Sequence, residues 1–156
     1  MINYYYELIE KLKKQGFTFK DRSLHLAVFD KLTIDKISNG TKKFESRWSK
    51  IKCRPYGIIH NGDVVIIKES CGCVVAFFYA EQCSWFVLNQ IDKKSLEPYL
   101  PDISSNIENC ISQNKYLTIM KIDNFVKLSP FTISKRDQQT WVAFTNEEKW
   151  YKIELI

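Results

Sequence analysis

The sequence predicts an α+β fold, a small and mostly antiparallel β-barrel with helices at its ends. Three observations lead there. The chain has 156 residues, 45% of them hydrophobic and 14% aromatic, which is the length of one domain and enough apolar material for one packed core. Much of it reads as runs of β-branched and aromatic residues with period-two alternation. A few stretches of helical spacing are interspersed among these runs, and strand-rich order with interspersed helices suits a barrel capped by helices.

Ile2, Tyr5, Ile9 and Leu12 recur at helical spacing, Lys11, Lys13 and Lys14 gather toward the end of the pattern, and Gly16 stops it. Residues 1–22 are therefore an N-terminal helix packed on the domain, and 23–156 are the domain proper, the whole forming one compact unit. "SLHLAVF" alternates as a first strand, with Leu24, Leu26 and Val28 on one face and His25, Ala27 and Phe29 on the other. A short helix is expected over 30–38 with Leu32, Ile34 and Ile37 buried, ended by Asn39-Gly40. From Lys43 the period changes to two: Phe44, Ser46 and Trp48 share one side, and Lys43, Glu45 and Arg47 the other.

"PYGIIHNGD" is punctuated by Pro55, Gly57 and Asn61-Gly62 and reads as turns. "DVVIIKES" and "CVVAFFYAEQ" form a long hairpin about Cys71-Gly72. Residues 92–114 are polar, broken by Pro98 and Pro101, and hold short helices, one of them over 103–112. "KYLTIMKIDNFVKL" and "TWVAF" are two further strands joined by "SPFTISKRDQQ", and "KWYKIEL" is a candidate to close the sheet. No repeat, low-complexity tract or linker divides the chain.

Glu7 and Glu10 stand inside the first amphipathic pattern, which fits neither a secretory signal nor a transit peptide, and the longest apolar run, 73–80, is far short of a membrane span. The five cysteines, Cys53, Cys71, Cys73, Cys83 and Cys110, are an odd count best read as reduced thiols of a cytosolic protein. Cys71-Gly72-Cys73 resembles half a metal site. No second pair at zinc spacing accompanies it, and with His25 and His60 the only histidines, no structural metal and no cofactor are expected.

The net charge of +5 is unevenly placed: Lys36, Lys42, Lys43, Arg47, Lys50, Lys52 and Arg54 have only Glu45 among them as an acid. Such an excess suits an anionic partner. No serine or cysteine stands in a triad relation to the two histidines, and neither a phosphate-cradling glycine loop nor a dinucleotide-binding glycine pattern is present.

Gly40-Thr41-Lys42-Lys43-Phe44-Glu45-Ser46-Arg47 matches G-x-K-x-x-E-x-R, and in this the chain resembles the ASCH (activating signal cointegrator homology) family of the PUA-like superfamily. The order around the motif is also similar: "HLAVF", a helix, the motif continuing through "SRWSK" and "RPYG", then "GDVVIIKESCGCVVAFF" and "ISKRDQQTWVAF", together covering about residues 24–144. The resemblance implies a PUA-like barrel with a cleft beside the motif, and binding of RNA, a nucleotide or a related small molecule. Relatives include RNA-binding modules, nucleases, and amidohydrolases that remove an acyl group from modified cytidine. The short signature of those amidohydrolases carries threonine where this chain has Glu45, a departure that weighs against the enzyme reading.

The expected ligand-binding residues are Gly40, Lys42, Glu45, Arg47, Lys68, Tyr56 and His25. Lys42 would meet a phosphate or, desolvated, act as a base. Glu45 can accept hydrogen bonds from an exocyclic amine, and its alternative is an ion pair with Arg47 or Lys43 on the strand surface. Arg47 offers a planar fork to phosphate or holds Glu45 in place. Tyr56 is a stacking platform for a base. His25 either lines the cleft or is a hydrogen-bonded barrel histidine. Lys43, Lys50, Lys52, Arg54, Lys135 and Arg136 would form a phosphate or RNA surface, whereas Phe44, Trp48 and Trp141 are expected to pack inside.

An RNA- or nucleotide-binding module is thus the first expectation. The alternatives are a metal-independent hydrolase, with Lys42 and Glu45 catalytic and Glu81 a candidate second carboxylate, and a protein-interaction module built on the same scaffold.

Overall fold

Residues 4–19 and 21–144 are described by a computed structural model; Ile2 and the "KWYKIEL" segment lie outside the described residues. Six strands, β1 (Leu24–Phe29), β2 (Phe44–Ser49), β3 (Val64–Glu69), β4 (Val74–Val87), β5 (Tyr116–Phe131) and β6 (Trp141–Ala143), form one sheet in the order β2-β5-β4-β3-β1-β6. Every neighbouring pair is antiparallel except β1 and β3, which run parallel in the register Leu24–Val64 through Phe29–Glu69. A parallel pair needs a long crossover. The chain supplies it between the two strands with helix α2 (Lys31–Ser38), β2 and the basic turn-rich loop. The mostly antiparallel α+β expectation holds, as a mixed sheet curled into a half-barrel.

Strands β1 and β3 are apolar on both faces because both faces are covered. Leu24, Leu26, Val64, Ile66 and Phe77 meet helix α1 (Tyr5–Lys14), which buries Tyr5, Leu8 and Leu12 at helical spacing. Gly16, at φ +90, adopts the left-handed conformation that ends the helix, and Gln15 exchanges two side-chain hydrogen bonds with the backbone of Ser129 on β5 (2.8 and 2.9 Å). The inner, concave face carries Ala27, Phe29, Val65, Ile67, Ala76, Phe78, Ala80, Met120 and Trp141.

Helix α2 plugs one end of that concavity. Asp30 caps it through Thr33 N–H (2.7 Å), Ile37 is buried, and Ile34 packs beside it. Leu32 was expected inside and is 66% exposed. It stands two residues before Ile34, about 200° around the helix, so it cannot share the buried face.

The β3–β4 hairpin turns at Cys71, which itself adopts φ +57. β4 runs on to Val87, past the expected end, because a register shift near Gln82 (φ +48) lets pairing with β5 resume at Ser84. Residues 88–113 form two 3-10 segments, Leu88–Gln90 and Lys93–Tyr99, and helix α3 (Ile107–Gln113), shorter than expected because Asn106 caps it. They bury Leu88, Leu96 and Ile103 against Leu117 and Ile119, and both aromatics of β2, Phe44 and Trp48, pack against this cluster while only partly buried. All five cysteines are free thiols. No helix among the described residues is long and apolar enough to cross a membrane.

Candidate functional site

Period-two alternation sends Glu45 and Arg47 to the concave face, and α2 delivers Lys42 to its rim. Gly40, at φ +80, lets the chain leave α2 in the left-handed conformation, and Lys42 N–H reaches back to the Lys36 carbonyl (3.0 Å). The Lys42 ammonium then donates to the Asp102 carbonyl (2.6 Å) and stands 3.8 Å from Glu45 Oε1. Asp102 also accepts from Lys43 N–H (2.6 Å) and Phe44 N–H (3.0 Å), so one residue of the 88–113 segment fixes the start of β2.

Glu45 is only 6% exposed. Its Oε1 accepts from Ser46 N–H (2.8 Å) and its Oε2 lies 3.5 Å from Arg47 Nη2. Two cations around one buried carboxylate leave the corner with an excess positive charge.

Arg47 does more than hold Glu45. Among the described residues strand β2 is one edge of the sheet and β6, paired with β1, is the other, yet Arg47 Nη2 donates to the Val28 carbonyl on β1 (3.0 Å). Its guanidinium lies over the rings of Phe29 (4.9 Å) and Trp141 (5.1 Å). The side chain therefore spans the open seam of the half-barrel, with cation–π contacts in place of a strand ladder.

Behind it runs a hydrogen-bonded chain through the buried His25. Trp141 Nε1–H donates to His25 Nδ1 (3.0 Å), which leaves Nε2 as the protonated nitrogen, and Nε2–H donates to Asp63 Oδ2 (2.9 Å). Asp63 Oδ2 also accepts from His60 N–H (3.0 Å). With 0% exposure and both ring nitrogens committed, His25 is the hydrogen-bonded barrel histidine of the two alternatives and does not line the cleft.

The other sequence-derived candidates separate by face. Lys68 pairs in register with Val28, on the side of the sheet that carries Leu24 and Leu26, and its ammonium donates to the Glu69 carbonyl (3.2 Å). Glu81 stands in register with Lys121 and Phe44, opposite to Glu45, because an odd number of strand steps reverses the face, so it does not join the buried carboxylate. Lys135 donates to Asp137 and the Gln139 carbonyl, and Asp137 accepts from Tyr4 in the α1 layer (3.1 Å); this cation holds its own loop, and Arg136 beside it is exposed. Lys43, Lys50, Lys52 and Arg54 are exposed near or after β2.

Tyr56 has neighbours that the sequence reading left out. Arg47 on β2 is directly opposite Thr118 on β5, and Thr118 is directly opposite Trp85 on β4, so all three share the concave face in one row. Tyr116 is two residues along β5 on the same face. Tyr56 packs against Tyr116 (5.0 Å) and Trp85 (6.4 Å), His60 meets Trp85 edge-on (5.3 Å), and Lys52 lies over Tyr116 (5.9 Å). Trp85 lies beyond the strand end expected at Gln82, and the register shift in β4 both carries the strand on to it and sets its face.

Cys83, half-buried on this side, is no ready nucleophile. Burial, and then the charges of Asp63 and Glu81, push its thiol up to about 12. Among the described residues, no group of three or more His, Cys, Asp or Glu side chains is placed to hold a metal ion.

The fold is a curled mixed sheet with α1 on its convex face. The ASCH protein of Zymomonas mobilis has it: two point variants of that protein match with TM-scores of 0.60 and 0.58 at 15% and 14% identity, over 86% of this chain and 97% and 99% of theirs. A protein of Enterococcus faecalis matches with a TM-score of 0.50 at 8% identity, over 89% of this chain and 100% of its own. No family model matches the sequence, and no curated protein matches it.

Proposed function

We propose that this chain is an ASCH-type module that binds a segment of RNA or a nucleotide on its concave face, at the corner formed by Gly40, Lys42, Glu45 and Arg47. The observation that carries the reading is the buried Glu45 carboxylate between Lys42 and Arg47. Its oxygens can accept from the exocyclic amine of a base, while the two cations favour a phosphate nearby. The exposed cations Lys43, Lys50, Lys52 and Arg54 extend the positive surface from this corner and make the binding salt-sensitive.

The 3.8 Å approach of Lys42 Nζ to Glu45 is what favours a second reading, a hydrolase in which the pair moves a proton at the reacting group. Binding of short single-stranded RNA and of a nucleoside and nucleotide panel, at two salt concentrations and with mass-spectrometric monitoring, separates the two. Salt-dependent binding without conversion supports the module, and Lys42→Ala or Arg47→Ala then weakens it by about tenfold or more, on the order of 1.5–3 kcal/mol for a lost charge-assisted bond. Conversion that disappears in a folded Lys42→Ala variant replaces it with the hydrolase. Unchanged affinity and unchanged conversion in both variants remove the corner from either role.

A further inference from the structure

The aromatic group beside the charged corner is not used by the reading above. Trp85 is 41% exposed near the end of β4, whereas Phe29, Phe78 and Trp141 on the same face are buried. Its ring neighbours leave it open. His60 stands at 86° to it and Tyr56 at 47°, so among the described residues no ring lies parallel on the indole. Tyr56 packs against the indole and is itself backed by Tyr116 at 61°, and the Lys52 ammonium lies 5.9 Å from the Tyr116 ring.

An indole open on a concave surface, packed against Tyr56 and with the Lys52 ammonium over the adjoining Tyr116 ring, has a chemistry that matches a flat heteroaromatic ring attached to a phosphate. An aliphatic partner would need neither the open ring face nor the cation. The row Arg47–Thr118–Trp85 crosses three adjacent strands, so Trp85 stands about 10 Å from Arg47.

We infer that Trp85, packed against Tyr56, is a second, base-stacking subsite that takes the nucleobase of a single strand whose neighbouring nucleotide occupies the Lys42–Glu45–Arg47 corner. The inference rests on the nucleic-acid reading and deepens it, because two subsites on one face call for a strand of at least two nucleotides in preference to a free nucleotide. Stacking carries no charge. Its contribution is therefore separable from that of the cations by salt dependence.

The test is titration of a short labelled single-stranded RNA, and of a mononucleotide, into the parent protein and the variants Trp85→Ala, Trp85→Phe and Arg47→Ala, each checked for folding by circular dichroism. Trp85→Ala is expected to weaken RNA binding about five- to a hundredfold with an unchanged salt slope. Trp85→Phe, which keeps a ring, retains most of the affinity, and the mononucleotide binds more weakly than the strand and is less sensitive to Trp85. If Arg47→Ala weakens RNA binding while Trp85→Ala does not, the stacking subsite is overturned and the corner stands. A mononucleotide bound as tightly as the strand also overturns it. If the parent binds neither RNA nor nucleotide, the functional reading fails and this inference with it.

Discussion

Replacing Asp63 by alanine removes the terminus of the buried chain behind Arg47. One oxygen of this carboxylate accepts both His25 Nε2–H at 2.9 Å and His60 N–H at 3.0 Å. The His25 ring is wholly buried, so in the Asp63→Ala variant its Nε2–H has no water to turn to. A hydrogen bond to a charged group contributes about 1.5–3 kcal/mol, and the second bond, to a backbone N–H nearer the surface, about 0.5–1.5 kcal/mol. The expected loss is therefore roughly 2–4 kcal/mol, a large fraction of the ~5–15 kcal/mol that holds a domain of this size together. Urea unfolding followed by circular dichroism measures it, with a midpoint lowered by about 1 M or more at unchanged slope. Asp63→Asn, which keeps one carbonyl oxygen as acceptor, should lose about half as much. A loss below about 1 kcal/mol for Asp63→Ala would show that His25 finds another acceptor, and the buried chain would then not be what positions Trp141 beneath Arg47.

Further outcomes follow from local chemistry. Thiol-reactive reagents at neutral pH should label the exposed Cys53 and Cys71 well before Cys83, whose thiol is pushed up to about 12 by burial and by the charges of Asp63 and Glu81; peptide mapping by mass spectrometry reads the order, and equal rates would refute the assignment. Asp30→Ala removes the α2 cap at a cost of about 1 kcal/mol near neutral pH. The bond to Thr33 N–H lowers the Asp30 carboxyl below its ordinary 3.8, so the folded state binds this proton less readily than the unfolded chain does. The cap's contribution is fully present above that ordinary value and is lost as pH falls through the lower folded one. The stability gap between parent and variant should close in acid, and a gap independent of pH would exclude a charged cap.

The local elements could be read from the sequence because each depends on neighbouring residues alone. Alternation from Lys43 to Trp48 placed Glu45 and Arg47 on one face, Asn39-Gly40 ended α2, and the helical spacing of Tyr5 and Leu12 marked α1. The ASCH resemblance picked out the same motif and implied the fold that the half-barrel has.

What the sequence could not decide was which strand lies beside which, since pairing joins residues far apart in the chain. The crossover that makes β1 and β3 parallel and the curl that brings the edge strand β2 back to β1 and β6 are tertiary. Only that curl turns Arg47 from a surface cation into a clamp on Val28, Phe29 and Trp141. Burial between Trp141 and Asp63 settled the role of His25. Strand parity carried Lys68 and Glu81 to the other face, and the register shift in β4 turned Trp85 toward the concave one. A side chain's type and local period state what it can do, but its partners are chosen by packing across the whole sheet, and local spacing carries no record of that.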